Sequence, residues 1–156
     1  MTRRYYFDSS AFLEAHQRHY PMDVFPTVWR KLEDLVEHGR IVAPEPVLDE
    51  LKKKDDDLAR WAKNRKAMFL PLSEEVQASA SEVLAVFPRL VDTVKGRGKA
   101  DPFVIALARV EKITLVSHEK FVTGTQERPR IPNACKHFDV KHLNVVAFMR
   151  EQGWRF

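Results

Sequence analysis

The sequence predicts an α/β protein whose parallel sheet is covered by helices on both faces. Three observations lead there. Short apolar runs rich in aromatic or β-branched residues alternate with longer amphipathic ones, the pattern of strands that return through helices. The first run, Tyr5-Tyr6-Phe7, is too short for a helix and stops at Asp8, followed by two serines. Late in the chain, Phe103 to Ala108 contains no polar residue. A helix apolar on all sides must be buried.

Each element follows from local chemistry. Asp8 and the serines suit a strand-to-helix junction, because their oxygens accept from the free N–H groups of a first helical turn. A helix is expected from Ser10 to His19. Phe25-Pro26 opens a second, with Val28, Leu32, Leu35 and Val36 on one face and Gly39 beyond its end. Ile41-Val42-Ala43 reads as a strand, and Pro44-Glu45-Pro46 leads into a helix through Val47, Leu48 and Leu51. The charged run Lys52 to Asp57 interrupts or skirts it, and helix resumes over Leu58 to Lys66. Phe69 to Leu72 is a short strand or connector. Ser73-Glu74-Glu75 then caps a helix with Val76, Ala80, Val83, Leu84 and Phe87 inward. Lys95 to Lys99 forms a flexible basic loop, and Asp101 caps the interior helix that Pro102 begins. Ile113 to Val116 is a strand and His118 to Pro132 a long loop. A short helix over Asn133 to His137, a last strand at Asp139 to Lys141 and a closing helix from Val145 to Gln152 complete the chain.

The 156 residues suffice for one domain, taken as residues 1–156, with a core that needs no staples. A single cysteine, Cys135, excludes an internal disulfide and fits a reducing cytoplasm. The N-terminal segment has no apolar run of the length that a signal peptide or membrane span needs, so no membrane association is expected. The net charge of +4 permits a polyanionic partner without requiring one.

The acids carry the chemistry. Asp8 stands at the carboxyl end of the first strand, the edge where open α/β sheets bind ligands. Asp101 is held by a buried helix. On the helix after the second strand, steps of about 100° place Glu50 beside the apolar stripe and Asp49 nearly opposite it, so Glu50 is the inward acid. Glu119, with the Ser117 hydroxyl, follows the late strand. Carboxylates meeting at one edge at ~5 Å repel by roughly 3 kcal/mol per pair at an effective dielectric of ~20. Such a group holds protons or a divalent cation. Hard oxygen donors without His or Cys suit Mg²⁺ or Mn²⁺, ions that support phosphodiester hydrolysis.

Four segments resemble the successive acidic motifs of PIN domains, the metal-dependent ribonucleases that include VapC-type toxins. They are Tyr6-Phe7-Asp8-Ser9-Ser10-Ala11-Phe12, Pro46-Val47-Leu48-Asp49-Glu50-Leu51, Ala100 through Ala108, and Leu115-Val116-Ser117-His118-Glu119. The chain is most similar to the PIN-like group DUF4411. The resemblance implies a three-layer α/β/α sandwich with a short, mainly parallel central sheet. It also implies Mg²⁺- or Mn²⁺-assisted cleavage of RNA and an antitoxin that restrains it. Matched by position, Asp8, Glu50 and Asp101 are the metal-holding acids and Ser10 the hydroxyl residue two places after the first acid. Glu119 stands where many members have Asp, and Ser117 where they have Thr. Glu119 thus reaches further and acts directly or through water. The basic residues Lys95, Arg97, Lys99 and Lys120 would neutralise RNA phosphates. A homodimer is a further expectation.

Other signals were weaker. Gly96-Arg97-Gly98-Lys99 lacks the spacing of a phosphate loop. The six histidines show no HExxH spacing and Cys135 has no CxxC partner, which argues against zinc. Trp29, Trp61 and Trp154 are expected to anchor packing, and Asp92 receives no role. Two other functions compete: an aspartate-nucleophile phosphotransferase, which would want a second Asp where Ser10 stands, and a PIN-like module that binds nucleic acid or protein without cleavage.

Overall fold

The computed structural model describes residues 4–124 and 127–156. Residues 1–3 of the N-terminal segment and 125–126 of the expected long loop lie outside the described residues.

Strand β1 (Tyr5–Phe7) sits at the centre of a sheet ordered β3-β2-β1-β4-β5, formed with β2 (Ile41–Pro44), β3 (Phe69–Leu70), β4 (Thr114–Val116) and β5 (His142–Leu143). Every pairing is parallel, with Tyr6 opposite Val42 on one side and Leu115 on the other. Alternate side chains of β1 face opposite layers. Tyr5 and Phe7 meet the Phe148 ring edge-on at 4.8 and 5.0 Å, which places α8 (Val145–Glu151) on their side. Phe7 continues to Phe12, Trp61 and Trp29, linking α1 (Ser9–Glu14), α4 (Asp56–Lys63) and α2 (Pro26–Glu37) into that layer. The other layer contains α6 (Asp101–Glu111), which packs on β1, β2 and β4 and is covered by α5 (Glu74–Val86). Val104 through Ala108 are buried without exception, as the apolar run required. The remaining helices are α3 (Glu45–Lys54) and α7 (Ile131–His137). This is a three-layer α/β/α sandwich. Among the described residues no helix is long and apolar enough to cross a membrane.

Four expectations need correction. The first helix becomes a π-helical turn over Ala15–His19 instead of continuing as α. Asp101 is the first residue of α6 and not its cap; Ala100 holds the cap position, and the Asp101 N–H is satisfied by the Gly98 carbonyl at 3.1 Å. The short late helix begins at Ile131, two residues before Asn133. The last strand is His142–Leu143, displaced from Asp139–Lys141. Asp139 takes φ 56° and the Val140 N–H returns to the Cys135 carbonyl, so those residues terminate α7 before the chain can extend.

Candidate active site

The carboxyl ends of β1, β2 and β4 deliver the acids to one place. Asp8 ends β1 with its N–H bonded to the Val116 carbonyl at 2.9 Å, so the central pairing fixes its backbone. It is 2% exposed. Its Oδ2 caps α1, accepting from the Ser10 N–H at 3.2 Å and the Ser10 hydroxyl at 2.7 Å. The Ser10 hydroxyl in turn accepts from the His118 N–H at 3.0 Å, locking the loop after β4 to the start of α1. Glu50, on α3, is half-buried while Asp49 is exposed, the division that helix geometry gave. Ser9 donates its hydroxyl to Glu50 Oε2 at 3.3 Å, and Lys54 approaches the same oxygen at 3.6 Å. Asp101, 4% exposed, enters from the first turn of α6.

Asp8, Glu50 and Asp101 each offer a carboxylate oxygen, and these oxygens lie within 4.8 Å of one another. Each also has a buried oxygen with no hydrogen-bond partner: Asp8 Oδ1, Glu50 Oε1 and Asp101 Oδ2. Buried polar atoms are rarely left so. Burial first, and then Asp8, Glu119 and Glu50, pushes the Asp101 carboxyl well above the usual range, against the pull of Arg128. Burial and the Asp8 charge likewise raise Glu50, and burial raises Asp8 against its serine hydrogen bonds. The donor set is all hard oxygen, and each acid brings one oxygen within 4.8 Å of the others, so the residues fit Mg²⁺ or Mn²⁺.

Glu119 stands outside that trio. Its Oε2 accepts from the Ile131 N–H at 2.9 Å, tying it to the start of α7. Burial, then Asp8, pushes its carboxyl up to about 7, while the Ile131 N–H, Arg130 and Arg128 pull the other way. Ser117, fully buried, places its hydroxyl 2.6 Å from His142 Nε2 on β5 and accepts from the Glu119 N–H at 3.3 Å. It therefore shapes the turn that presents Glu119. The basic loop is folded around Asp92: an antiparallel bridge joins Asp92 to Arg97, and the Asp92 carboxylate accepts from the Lys95 N–H and the Arg97 guanidinium. Asp92, without a role in the sequence reading, organises this loop. Lys95, Arg97, Lys99 and Lys120 are all exposed.

The DUF4411 family, described as a domain of unknown function, matches residues 5–156. This chain belongs to that family. No curated protein matches it. Among solved structures, the crystal structure of VapBC2 from Rickettsia felis bound to a DNA fragment from their promoter is similar in fold. Its TM-score is 0.53 at 18% identity, with 90% of this chain and 97% of that chain covered. The five-stranded parallel sheet and its two helical layers make the DUF4411 chain PIN-like in architecture.

Sequence reasoning missed Arg128. Its guanidinium donates to the Leu90 carbonyl and opposes the charge of both Asp101 and Glu119. No motif marks it, because the loop that carries it is brought to the site only by the fold. Gly98 makes room for the arrangement. At φ 76° it occupies backbone space disfavoured for other residues, and a Cβ there would press on the Leu90 carbonyl, reach 2.9 Å from Arg128 and 3.1 Å from Asp101 Oδ2. Gly98→Ala should therefore lower stability by about 2 kcal/mol or more in urea unfolding, combining backbone strain with the clash. An unchanged midpoint and slope would refute this packing.

Proposed function

We propose that this DUF4411 chain is a metal-dependent endoribonuclease that hydrolyses RNA phosphodiester bonds, acting as the toxin of a toxin–antitoxin pair in the cytoplasm. We take residues 1–156 as a single domain. The observation that supports this best is the meeting of Asp8, Glu50 and Asp101 at the carboxyl edge of a parallel sheet, each with a buried oxygen that has no hydrogen-bond partner. Those three acids would hold Mg²⁺ or Mn²⁺. The bound ion would supply activation of water and neutralisation of charge developing on the phosphate.

The rest belongs to the chain's own residues. Ser10 holds Asp8 by its Oδ2, leaving Oδ1 buried and without a partner among the described residues. Glu119 lines the adjacent cleft of ≈ 510 Å³ with Ser10, Lys120 and Arg130, where it can orient water beside the acids. Lys120, Lys95, Arg97 and Lys99 would provide exposed positive charge for the RNA backbone. The likeness to VapBC2 supports a protein antitoxin as partner.

Two measurements test the reading. A thermal melt with Mg²⁺ or Mn²⁺ should gain about 1.4 kcal/mol when the ion is at ten times its Kd. Single-stranded and hairpin RNAs should be cut with either ion and left intact in EDTA. Metal-induced stabilisation without cleavage of any RNA would instead favour a PIN-like binding module.

A further inference from the structure

We propose that Glu14, His19 and His118 form a second cation site, of the mixed imidazole–carboxylate kind that takes Zn²⁺, at the outer rim of the acidic cleft. It stands independently of the nuclease reading.

The site arises from a local irregularity. In a regular α-helix the residue beneath Glu14 is Arg18, and their side chains do approach, with Nε 3.3 Å from Oε2. From Ala15 the helix widens into a π turn closed by the Tyr20 N–H on the Ala15 carbonyl. A wider turn brings residue i+5 over residue i, so His19 comes to the side of Glu14. Such π turns are uncommon and concentrate at functional sites. No sequence rule flags a Glu and a His five apart.

His118 arrives from the loop after β4. Its backbone is anchored to α1 through the Ser10 hydroxyl, which accepts from the His118 N–H at 3.0 Å. The ring lies 5.1 Å from that of His19, centroid to centroid, and its Nε2 is 3.8 Å from Glu14 Oε2. One nitrogen from each imidazole and one Glu14 oxygen lie within 4.8 Å of one another, so small rotamer changes suffice to close on an ion. Among the described residues Glu14 Oε2 is buried and has no hydrogen-bond partner; the ionic approaches of Arg18 and His118 reach it. The Arg18 side chain is 73% exposed, and a solvent-exposed pair of that kind is too weak to hold off a divalent cation.

The donor set decides the ion. Two imidazoles and a carboxylate suit Zn²⁺, whereas Mg²⁺ prefers oxygen alone. Three protein ligands leave a fourth position, and Glu14 and His118 both line the cleft that Ser10 and Glu119 share, so that position faces solvent beside the acids. A second histidine–acid group, His16 with Asp55 and Asp57, offers a useful contrast. There His16 Nδ1 accepts from the Met22 N–H, while Asp55 caps α4 and accepts from Gln17. Asp57 is bonded to His16 and Arg60. Its atoms are occupied in holding helices together, and it carries no site.

Co²⁺ titration followed by visible absorption, in excess Mg²⁺ to occupy the carboxylate trio, tests the proposal on the whole chain. Wild type should develop ligand-field bands that Zn²⁺ displaces. His19→Ala and His19→Gln, at an exposed position, should fold normally and weaken Co²⁺ by more than the roughly tenfold typical of losing an outer-shell partner. Asp101→Asn should keep the bands. Absence of bands in wild type, their persistence in both His19 variants, or their loss in Asp101→Asn would each overturn the site; the last would place the ion among the carboxylates.

Discussion

Asp101→Asn should abolish metal-dependent stabilisation and RNA cleavage while making the metal-free protein more stable. The two halves have one cause. Asp101 is buried beside Asp8, Glu50 and Glu119, and its Oδ2 has no donor to offset desolvation. Asparagine has nearly the same shape and no charge, so near pH 8 without cation it relieves like-charge repulsion on the order of 1–3 kcal/mol. With cation, the same change removes a ligand. If the ion contributes several kcal/mol to the transition state, cleavage should fall by about a thousandfold or more. Asp8→Asn should lose cleavage similarly with a smaller stability gain. Its Oδ2 contacts with Ser10 cap α1, and asparagine still caps. Urea unfolding in EDTA and in Mg²⁺ checks both. An Asp101→Asn protein less stable than wild type in EDTA would mean that the carboxylate is satisfied in the fold, and the metal reading would lose its physical ground.

The architecture was readable in the sequence because period and composition carry it. Tyr5-Tyr6-Phe7 is buried on both faces, as a central parallel strand must be, and the alternation of strand and helix implied a parallel sheet with helices on both faces. The Glu50 position followed from a rotation of about 100° per residue, since the side chain beside Val47 and Leu51 has to face the sheet. What escaped the sequence has no period. His142-Leu143 pairs with β4 although neither residue is β-branched; the strand exists because α7 ends where it does. The π turn at Ala15–His19 leaves no compositional mark, and with it the neighbourhood of Glu14 and His19 stayed hidden. Arg128 and Arg130 lie in a loop, and only tertiary folding brings their charge to Asp101 and Glu119.

Glu119 gives a pH signature opposite to that of most acids. Its carboxyl is raised from 4.5 to about 7 in the folded state. Between those values the folded chain holds a proton that the unfolded chain has released, so its contribution to stability falls as pH rises and levels off above about 7. The full effect is on the order of 3 kcal/mol, and partial exposure reduces it. Half-buried His142, lowered by desolvation from 6.5 to about 4, acts with the other sign: the unfolded chain is the better proton binder there, and stability rises with pH across that range. The two overlap, and the raised Asp8, Glu50 and Asp101 carboxyls slope the same way as Glu119, so a pH profile of wild type alone does not single out Glu119. The difference between wild type and Glu119→Gln isolates the carboxyl. Glutamine keeps an oxygen for the Ile131 N–H and leaves His142 untouched. In EDTA, wild type should lose about 2 kcal/mol relative to Glu119→Gln between pH 4.5 and 7. Saturating Mg²⁺ should shrink that difference without abolishing it, because burial is the first cause of the rise and a cation held by Asp8, Glu50 and Asp101 offsets only the Asp8 charge that adds to it. A difference that is the same in EDTA and in Mg²⁺ would remove Glu119 from the electrostatic reach of the acids.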